Sequence, residues 1–357
     1  GCGETPYAKL LTQLFGDRMY IANATGCSSI WGNSSPSTPY TINEKGQGPA
    51  WSNSLFEDNA EFGYGMLLAQ KAIRKRLKEE VEAVAASDKA SEAAKAACQE
   101  YLDTFNCGVT NGDATDKLVA ALDGCDCDTC KDIVKNKDFL AKKSQWIFGG
   151  DGWAYDIGFG GVDHVLASGE DVNVFVFDTE VYSNTGGQAS KSTNLGAIAQ
   201  FQAAGKGTKK KDLAAIAMSY GYVYVAQIAM GADYNQTVKA IAEAEAYPGP
   251  SLVIGYAPCI NHGIKGGMKI AQTEEKKAVT SGYWNLFRFN PALAAEGKNP
   301  FHLDSKAPTT EYEDFIMGEV RYNALSRQNP ERAKELFAEA KANAEAKYNR
   351  LKEMSDK

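Results

Sequence analysis

Short apolar runs separated by helical patterns constrain the fold of this chain more than any other feature of its sequence. The apolar runs predict strands at 146–148, 172–177, 223–228, 252–256 and 283–289. Helical periodicity predicts helices at 154–167, 212–219, 234–246 and 265–280. Strands that are apolar on both faces need cover on both sides. The pattern therefore predicts an α/β fold with a mostly parallel sheet flanked by helices.

The composition changes between about residues 66 and 143, where Ala, Lys and Glu dominate and Gly is scarce. Such composition favours helices, so we expect a helical insertion there. The segment 330–357 is also rich in Ala, Glu and Lys and predicts one helix, packed on the surface or on a partner. We therefore expect one α/β domain over 1–329, interrupted by the insertion, and a helical tail over 330–357.

The charge balance disfavours two classes of partner. The 357 residues include 38 Lys+Arg and 45 Asp+Glu, a net charge of −7, whereas a nucleic-acid surface needs clustered cations. The uncharged run 213–232 is long enough to span a membrane, but Ser219 and Gly221 interrupt it, so we expect a short helix, a break and a buried strand. The eight cysteines are irregularly spaced, which favours reduced thiols or metal ligands in a cytoplasmic protein.

A glycine-rich turn follows the strand predicted at 146–148. The sequence Gly149-Gly150-Asp151-Gly152-Trp153 stands between that strand and a helical run, where backbone N–H groups favour phosphate and an Asp favours Mg²⁺. Thr179 follows the next predicted strand, and parallel strands end at the same edge of a sheet. We therefore expect Asp151 and Thr179 to face one site. Taken alone, Gly-Asp-Gly is equally typical of a simple turn.

Several motifs together identify a family. Gly150-Asp151-Gly152, with Thr179 following 28 residues after the Asp, resembles the diphosphate and magnesium motif of thiamine-diphosphate enzymes. The loop 182–190 (YSNTGGQAS), the start 1–7 (GCGETPY) and the segment 256–259 (YAPC) sharpen the match. Together they resemble the C-terminal, cofactor-binding part of the pyruvate:ferredoxin (flavodoxin) oxidoreductases. The resemblance covers roughly 1–293 apart from the insertion and implies the thiamine-diphosphate-binding fold.

The resemblance implies a set of site residues. Asp151, the Thr179 side chain and the Val181 carbonyl would hold Mg²⁺ against the diphosphate, with Thr179 standing where an Asn is usual. Asn184 would be the catalytic candidate, as a polar contact close to the thiazolium. The implied cofactor-binding residues are Glu4, Cys27, Gly150, Asp151, Gly152, Trp153, Thr179, Glu180, Val181, Tyr182, Ser183 and Asn184.

The resemblance also implies an iron–sulfur centre. Cys2, Cys27 and Cys259 match three of the four thiolate ligands of the family's 4Fe-4S cluster nearest the cofactor. The fourth ligand would be a cysteine upstream of Gly1, in a Cys-x-x-Cys pair. We therefore expect this chain to be an interior portion of a longer polypeptide.

The implied activity is oxidative decarboxylation of pyruvate to acetyl-CoA and CO₂, with electrons passing through 4Fe-4S clusters to ferredoxin or flavodoxin. Besides pyruvate and coenzyme A, the implied partners are the N-terminal portion of the same enzyme and a second copy in a homodimer. That portion would supply the glutamate that activates thiamine, so we expect the chain alone to be inactive. Three alternatives remain open: another 2-oxoacid:ferredoxin oxidoreductase, a non-redox thiamine decarboxylase, and a non-enzymatic iron–sulfur electron-transfer subunit.

Other candidate residues have a simpler interpretation. Cys98 and Cys107 are typical of core cysteines. Cys125, Cys127 and Cys130 have a spacing that suits a metal, although a closed zinc site would need a further ligand such as Cys107. His262 stands beside Cys259 and could donate to a sulfur or to substrate. The basic residues Lys206 and 209–211 favour a solvated face, or a surface that steers acidic ferredoxin or coenzyme A phosphates.

Overall fold

The computed structural model describes residues 1–34 and 38–356 of the chain. Within these residues, one eight-stranded sheet has the order β2-β1-β3-β4-β6-β5-β7-β8. The strands are β1 (Met19–Ala24), β2 (Ala50–Ser54), β3 (Ser144–Gly150), β4 (Asn173–Asp178), β5 (Tyr224–Ile228), β6 (Ser251–Tyr256), β7 (Phe287–Phe289) and β8 (Phe301–Leu303). The neighbours from β2 to β5 pair in parallel, and β7 and β8 continue the sheet antiparallel. The predicted α/β class with a mostly parallel sheet is confirmed.

Fourteen α-helices occur in the described residues, some of a single turn. They are α1 (Thr5–Phe15), α2 (Cys27–Ser29), α3 (Asn59–Ala85), α4 (Glu92–Thr104), α5 (Asn111–Leu122), α6 (Asp128–Lys135), α7 (Phe159–Ala167), α8 (Leu213–Met218), α9 (Tyr234–Ala246), α10 (Ala271–Thr280), α11 (Ala292–Ala295), α12 (Tyr312–Ile316), α13 (Val320–Gln328) and α14 (Pro330–Ser355). None of these helices combines the length and the apolar character that crossing a membrane requires.

The alternation of side chains along the strands builds two apolar cores, one on each face of the sheet. In β4, Val174 and Val176 lie in one core, whereas Phe175 and Phe177 lie in the other. The first core also contains residues of α3, α7, α8 and α14, and the second contains residues of α1 and α9. Burial on both faces explains why the strand sequences are continuously apolar.

Local signals in the sequence explain several helix starts. Asp233 and Asn329 precede α9 and α14, and their side-chain oxygens accept hydrogen bonds from backbone N–H groups three residues later. Pro330 occupies the first turn of α14, where no N–H donor is needed. The α14 side chains of Leu336, Phe337 and Ala340 lie in the first core, so this helix packs on its own chain.

The insertion has a core of its own. α3 begins at Asn59, earlier than the change in composition predicts, and its first turns pack on the sheet through Ala60 and Leu67. Its later turns join α4, α5 and α6 around a separate cluster that includes Leu77, Tyr101 and Leu118. α3 is therefore both the crossover helix of the sheet and the base of the insertion.

Candidate functional site

A cavity of about 180 Å³ opens at the carboxyl ends of β1, β3 and β4. It is lined by Glu4, Thr25, Gly26, Cys27, Phe56, Gly150, Asp151, Gly152, Trp153, Val181, Tyr182, Ser183, Asn184 and Thr185. Ten of these are among the twelve cofactor-binding residues implied by the sequence; the structure thus brings most of the predicted set to one place. The location at strand ends is the usual ligand site of open α/β sheets.

Three oxygen donors lie close together at this cavity, which Asp151 and Val181 line and which Thr179 adjoins without lining it. Thr179 Oγ1 lies 2.9 Å from Asp151 Oδ1 and 3.0 Å from the Val181 carbonyl oxygen. Neighbouring ligands of an octahedral Mg²⁺ at 2.0 to 2.1 Å are separated by about 2.9 Å, so these distances fit that ion. Burial, and then the charge of Asp178, raises the pKa of Asp151 well above its ordinary value. A bound cation would offset this buried negative charge.

The turn after β3 leaves backbone close to the cavity. Residues Gly152–Ile157 form a wide helical turn directly after Asp151. A Cβ on Gly152 would lie 2.8 Å from the Tyr182 ring, so a side chain does not fit there without displacing that ring. The start of a helical turn presents N–H groups that suit an anion such as a diphosphate.

Glu180 is placed differently from the expectation that it contacts the cofactor. Its carboxylate is fully buried away from the cavity and contacts Arg321 Nη2 at 2.8 Å and Lys210 Nζ at 3.0 Å. Burial opposes ionisation, but these two cations outweigh it and lower the pKa of Glu180 to about 2. Its φ of 60° is left-handed, a conformation that costs a non-glycine residue about 1 to 3 kcal/mol. The ion pairs therefore hold a strained backbone between Thr179 and Val181.

His262 joins the segment after β6 to the Thr179 loop. Its Nε2 lies 2.7 Å from the Thr179 carbonyl oxygen, and its Nδ1 lies 3.4 Å from the Cys259 backbone nitrogen. Burial, together with the charge of Arg321, lowers the pKa of His262 to about 3, so the ring is neutral. The neutral ring donates to Thr179 from Nε2 and accepts at Nδ1. The hydrogen bond is thus to backbone, not to a sulfur.

The three cysteines assigned to the cluster come from distant parts of the chain. The Gly3 backbone N–H donates to the Pro258 carbonyl at 3.1 Å, which lays Cys2 beside Cys259. A Cβ on Gly3 would lie 2.5 Å from the Pro258 nitrogen, so this close approach requires glycine. Cys27 Sγ accepts from the Ser183 hydroxyl at 3.3 Å, which places it at the cavity.

The cysteine environment fits ligands of a positively charged centre. Burial, followed by the charge of Glu4, raises the pKa of both Cys2 and Cys27 to about 11. Burial also raises the pKa of Cys259 to about 11, with a further contribution from the charge of Cys2. Binding to metal offsets this cost of forming thiolates. Cys27 also lies 3.9 Å from Asn184 Oδ1, so the thiols and the cavity are neighbours.

Glu4 lies between the thiols and the cavity. Its carboxylate is buried and accepts from Trp31 Nε1 at 2.8 Å. Burial raises the pKa of Glu4 to about 7 in spite of that hydrogen bond.

Residue-by-residue reading of the sequence missed several contacts. Ser190 Oγ donates to Asp151 Oδ2 at 2.5 Å, and Thr25, Gly26, Phe56 and Thr185 line the cavity. Thr25 and Gly26 directly precede Cys27, and Ser190 ends the loop that carried the resemblance, so adjacency was an available signal for these three. Phe56 follows a half-exposed edge strand and gives no comparable signal.

The basic cluster is only partly the solvated face that the sequence favours, since Lys209 is exposed and Lys206 is not. Lys206 is buried, and its Nζ donates to the Ser190 and Thr193 carbonyls at 2.9 and 2.6 Å. Lys210 pairs with Asp178 at 2.8 Å as well as with Glu180. Residues 209–211 line a second cavity, of about 470 Å³, against α14. Lys206 and Lys210 therefore brace the loop around the site.

Comparisons with known proteins agree with the predicted resemblance. The family described as "Thiamine pyrophosphate enzyme, C-terminal TPP binding domain" matches residues 136–254. The chain is 59% identical over its whole length to a pyruvate:ferredoxin oxidoreductase of Moorella thermoacetica, covering 31% of that protein. It is 57% identical over 99% of its length to a pyruvate-flavodoxin oxidoreductase of Klebsiella pneumoniae, covering 30% of that protein.

The chain thus spans about a third of the length of these relatives. Among solved structures, a 2-oxoglutarate:ferredoxin oxidoreductase from Magnetococcus marinus aligns with a TM-score of 0.39 and 15% identity, over 73% of this chain and 63% of that one. The resemblance predicted from the Gly-Asp-Gly turn and its companion loops is confirmed by the family match and the two sequence relatives.

Proposed function

We infer that this chain is the thiamine-diphosphate-binding portion of a pyruvate:ferredoxin or pyruvate-flavodoxin oxidoreductase. We propose that it takes part in the oxidative decarboxylation of pyruvate to acetyl-CoA and CO₂. The observation that carries the proposal is the convergence of Asp151, Thr179 and Val181 oxygens on the cavity that Cys27 also lines. A diphosphate–metal site and a redox-active thiolate site side by side suit a decarboxylation that must also release electrons.

Each part of the site has a proposed task. Thiamine diphosphate, when bound, supplies the electron sink that decarboxylation of a 2-oxoacid requires. Asp151, Thr179 and Val181 would hold Mg²⁺, and the N–H groups that begin the turn at Gly152 would face the diphosphate. Asn184, whose Oδ1 lies 3.9 Å from Cys27 Sγ, would orient the reacting end of the cofactor. Cys2, Cys27 and Cys259 would hold a 4Fe-4S cluster together with an upstream cysteine.

The remaining components are proposed from the relatives. The names of the relatives favour pyruvate as substrate and ferredoxin or flavodoxin as electron acceptor. Coenzyme A would receive the acetyl group, and the N-terminal portion of the enzyme would complete the active site. We propose that the whole enzyme works as a homodimer in the cytoplasm.

Calorimetric titration of the 357-residue chain with thiamine diphosphate tests the metal site. We expect binding in the presence of Mg²⁺ and a loss of affinity by about two orders of magnitude in the Asp151→Asn variant, because the ion loses its carboxylate ligand. Asp103→Asn is the matched control, since the Asp103 side chain bonds only to Gln99 on the exposed face of α4. Equal binding by all three chains would contradict the proposed site.

Iron analysis tests the second half of the proposal. The whole enzyme, carrying the upstream portion, should lose iron and its cluster absorption when Cys27→Ser or Cys259→Ser is introduced. Cys107→Ser, an exposed cysteine of the insertion, should retain both. Full iron content in the Cys259→Ser enzyme would refute the cluster assignment while leaving the diphosphate site in place.

A further inference from the structure

Three cysteines outside the site just described converge on one point of the insertion. The sulfurs of Cys125, Cys127 and Cys130 all lie within 4.8 Å of one another. Cys125 and Cys127 lie in the exposed connection between α5 and α6, and Cys130 lies in the first turn of α6. Cys130 is 3% exposed and packs in the core of the insertion. One thiol is thus anchored in the core, and two face outwards.

Backbone N–H groups already bond to two of these sulfurs. Cys127 caps α6, and its Sγ accepts from the Cys130 backbone N–H at 3.2 Å. The Cys127 backbone N–H also bonds to the Cys125 sulfur. N–H groups directed at sulfur are the support that metal-bound thiolates need.

The spacing suits one shared ion. Two sulfurs bound to one tetrahedral Zn²⁺ at about 2.3 Å lie about 3.8 Å apart, so a contraction of about 1 Å or less would close the site. The sulfurs that hold a cubane cluster bind different irons and lie further apart. A pair of thiols would suffice for a disulfide, whereas three thiols within 4.8 Å of one another favour a metal.

The structure also corrects the expected fourth ligand. Cys107 lies in the turn before α5, whereas Cys125 follows the end of that helix. The twelve residues of α5 separate the two cysteines by about 18 Å, so Cys107 cannot complete the site. Neither the Asp126 nor the Asp128 carboxylate lies within 4.8 Å of all three sulfurs, so water is the fourth ligand that this exposed site offers.

We propose that Cys125, Cys127 and Cys130 form a zinc site that fastens α6 to the end of α5, independent of the thiamine site and its cluster. The ion would bind three thiolates and release their protons. Its role would be to stabilise the insertion.

Cobalt substitution tests this proposal on the 357-residue chain. Cys2→Ser, Cys27→Ser and Cys259→Ser are introduced first, so that the cysteines of the proposed iron–sulfur site cannot bind cobalt. We expect one equivalent of Co²⁺ per chain, with the intense visible bands of tetrahedral thiolate coordination, displaced by Zn²⁺. Cys125→Ser with Cys127→Ser should abolish the bands, whereas Cys107→Ser should leave them unchanged. Both substituted triad residues are exposed, and Ser retains the helix-capping role of Cys127.

Two results would overturn the zinc site. One is a folded, fully reduced chain that shows no thiolate–cobalt bands. The other is bands that persist when Cys125 and Cys127 are replaced. If the chain with Cys2, Cys27 and Cys259 replaced does not fold, two chains that retain these cysteines are compared, one with Cys125→Ser and Cys127→Ser and the other with Cys107→Ser. We expect the Cys107→Ser chain to bind one more equivalent of Co²⁺. Equal Co²⁺ binding by the two chains would contradict the proposal. A reduced chain that binds no cobalt but readily forms a Cys127–Cys130 disulfide would establish a dithiol in place of a metal site.

Discussion

At the scale of single residues, His262 connects the two centres of the proposed site. It reaches the Thr179 carbonyl through Nε2 and the Cys259 backbone through Nδ1, and it is completely buried. Both hydrogen bonds of the ring are to backbone, and Nδ1 also lies 3.6 Å from the buried Glu319 carboxylate. We infer that the ring positions this loop. A shift of this ring would move Thr179 and Cys259, the proposed magnesium donor and the proposed cluster ligand, together.

Replacing His262 should therefore weaken both centres. We expect His262→Leu to lower the affinity for magnesium thiamine diphosphate about tenfold, since it leaves the Thr179 carbonyl buried without a donor, at about 1 to 3 kcal/mol. Calorimetry and iron content of the whole enzyme measure the two effects. His262→Gln, which retains an N–H donor, should recover most of the affinity. His302→Leu, at an exposed histidine, serves as the control. A tenfold loss of affinity in that variant as well would refute the positioning role of His262.

The sequence predicts part of this residue-scale picture. Asp151 and Thr179 each follow a strand, so their approach follows from strand order. The orientation of the Glu180 side chain, away from the cavity, could not be predicted from the sequence. It depends on the left-handed backbone at Glu180 and on an ion pair with Arg321 from a distant helix. The buried role of Lys206 was equally hidden, since a lysine-rich segment is usually solvated.

At the scale of secondary-structure elements, Arg74 holds the insertion together. This α3 residue donates from Nε to the Leu140 carbonyl at 2.9 Å and from Nη2 to the Phe105 carbonyl at 2.8 Å. Its guanidinium also stacks 4.0 Å from the centre of the Phe105 ring. One side chain thus satisfies the ends of two other segments.

Arg74→Met should destabilise the insertion by about 2 to 4 kcal/mol, because buried carbonyls lose a charged donor. Hydrogen exchange should show lost protection in α4 and α5, with the sheet strands unchanged, since cooperative units open separately. Arg76→Met, two residues along the same helix, is the control. The exposed ion pairs of Arg76 with Glu80 and Asp132 contribute little to stability. An equal loss of protection in the Arg76→Met variant would therefore contradict the role assigned to Arg74.

The sequence predicts strands and helices well where burial requires a regular pattern of apolar residues. β4 and β6 lie at the centre of the sheet, and their apolar runs predicted them closely. β2 was missed because AWSNS is half-exposed at the edge and shows no apolar alternation. β7 is shorter than predicted, since the preceding Tyr283 and Trp284 pack in the core outside the strand.

At the scale of the whole molecule, Glu275 ties helices to strand ends on the same side of the sheet. Its carboxylate accepts from the Gly231 N–H at 2.8 Å and from Gln272 Nε2 at 2.9 Å. The Tyr7 hydroxyl lies 3.3 Å away and also donates to the Tyr256 carbonyl. Burial raises the pKa of Glu275 to about 8.

This shift predicts how stability depends on pH. Between about pH 4.5 and 8 the folded chain retains the Glu275 proton and the unfolded chain does not, so stability falls as pH rises, by about 1.4 kcal/mol per unit. Glu275→Gln removes this contribution. Urea unfolding at several pH values should therefore show the wild-type chain losing stability relative to the variant towards pH 8. Exposed Glu296→Gln is the control, and parallel curves for wild type and Glu275→Gln would refute the shift.

The separate core of the insertion makes it a removable module. The 27-residue α3 extends about 40 Å, and only its first turns support the sheet. Natural selection can therefore lengthen, shorten or discard everything beyond those turns without shifting the strand register that positions the loops of the proposed site. Related proteins should accordingly differ most in length here, while the spacing from Asp151 to Thr179 stays fixed.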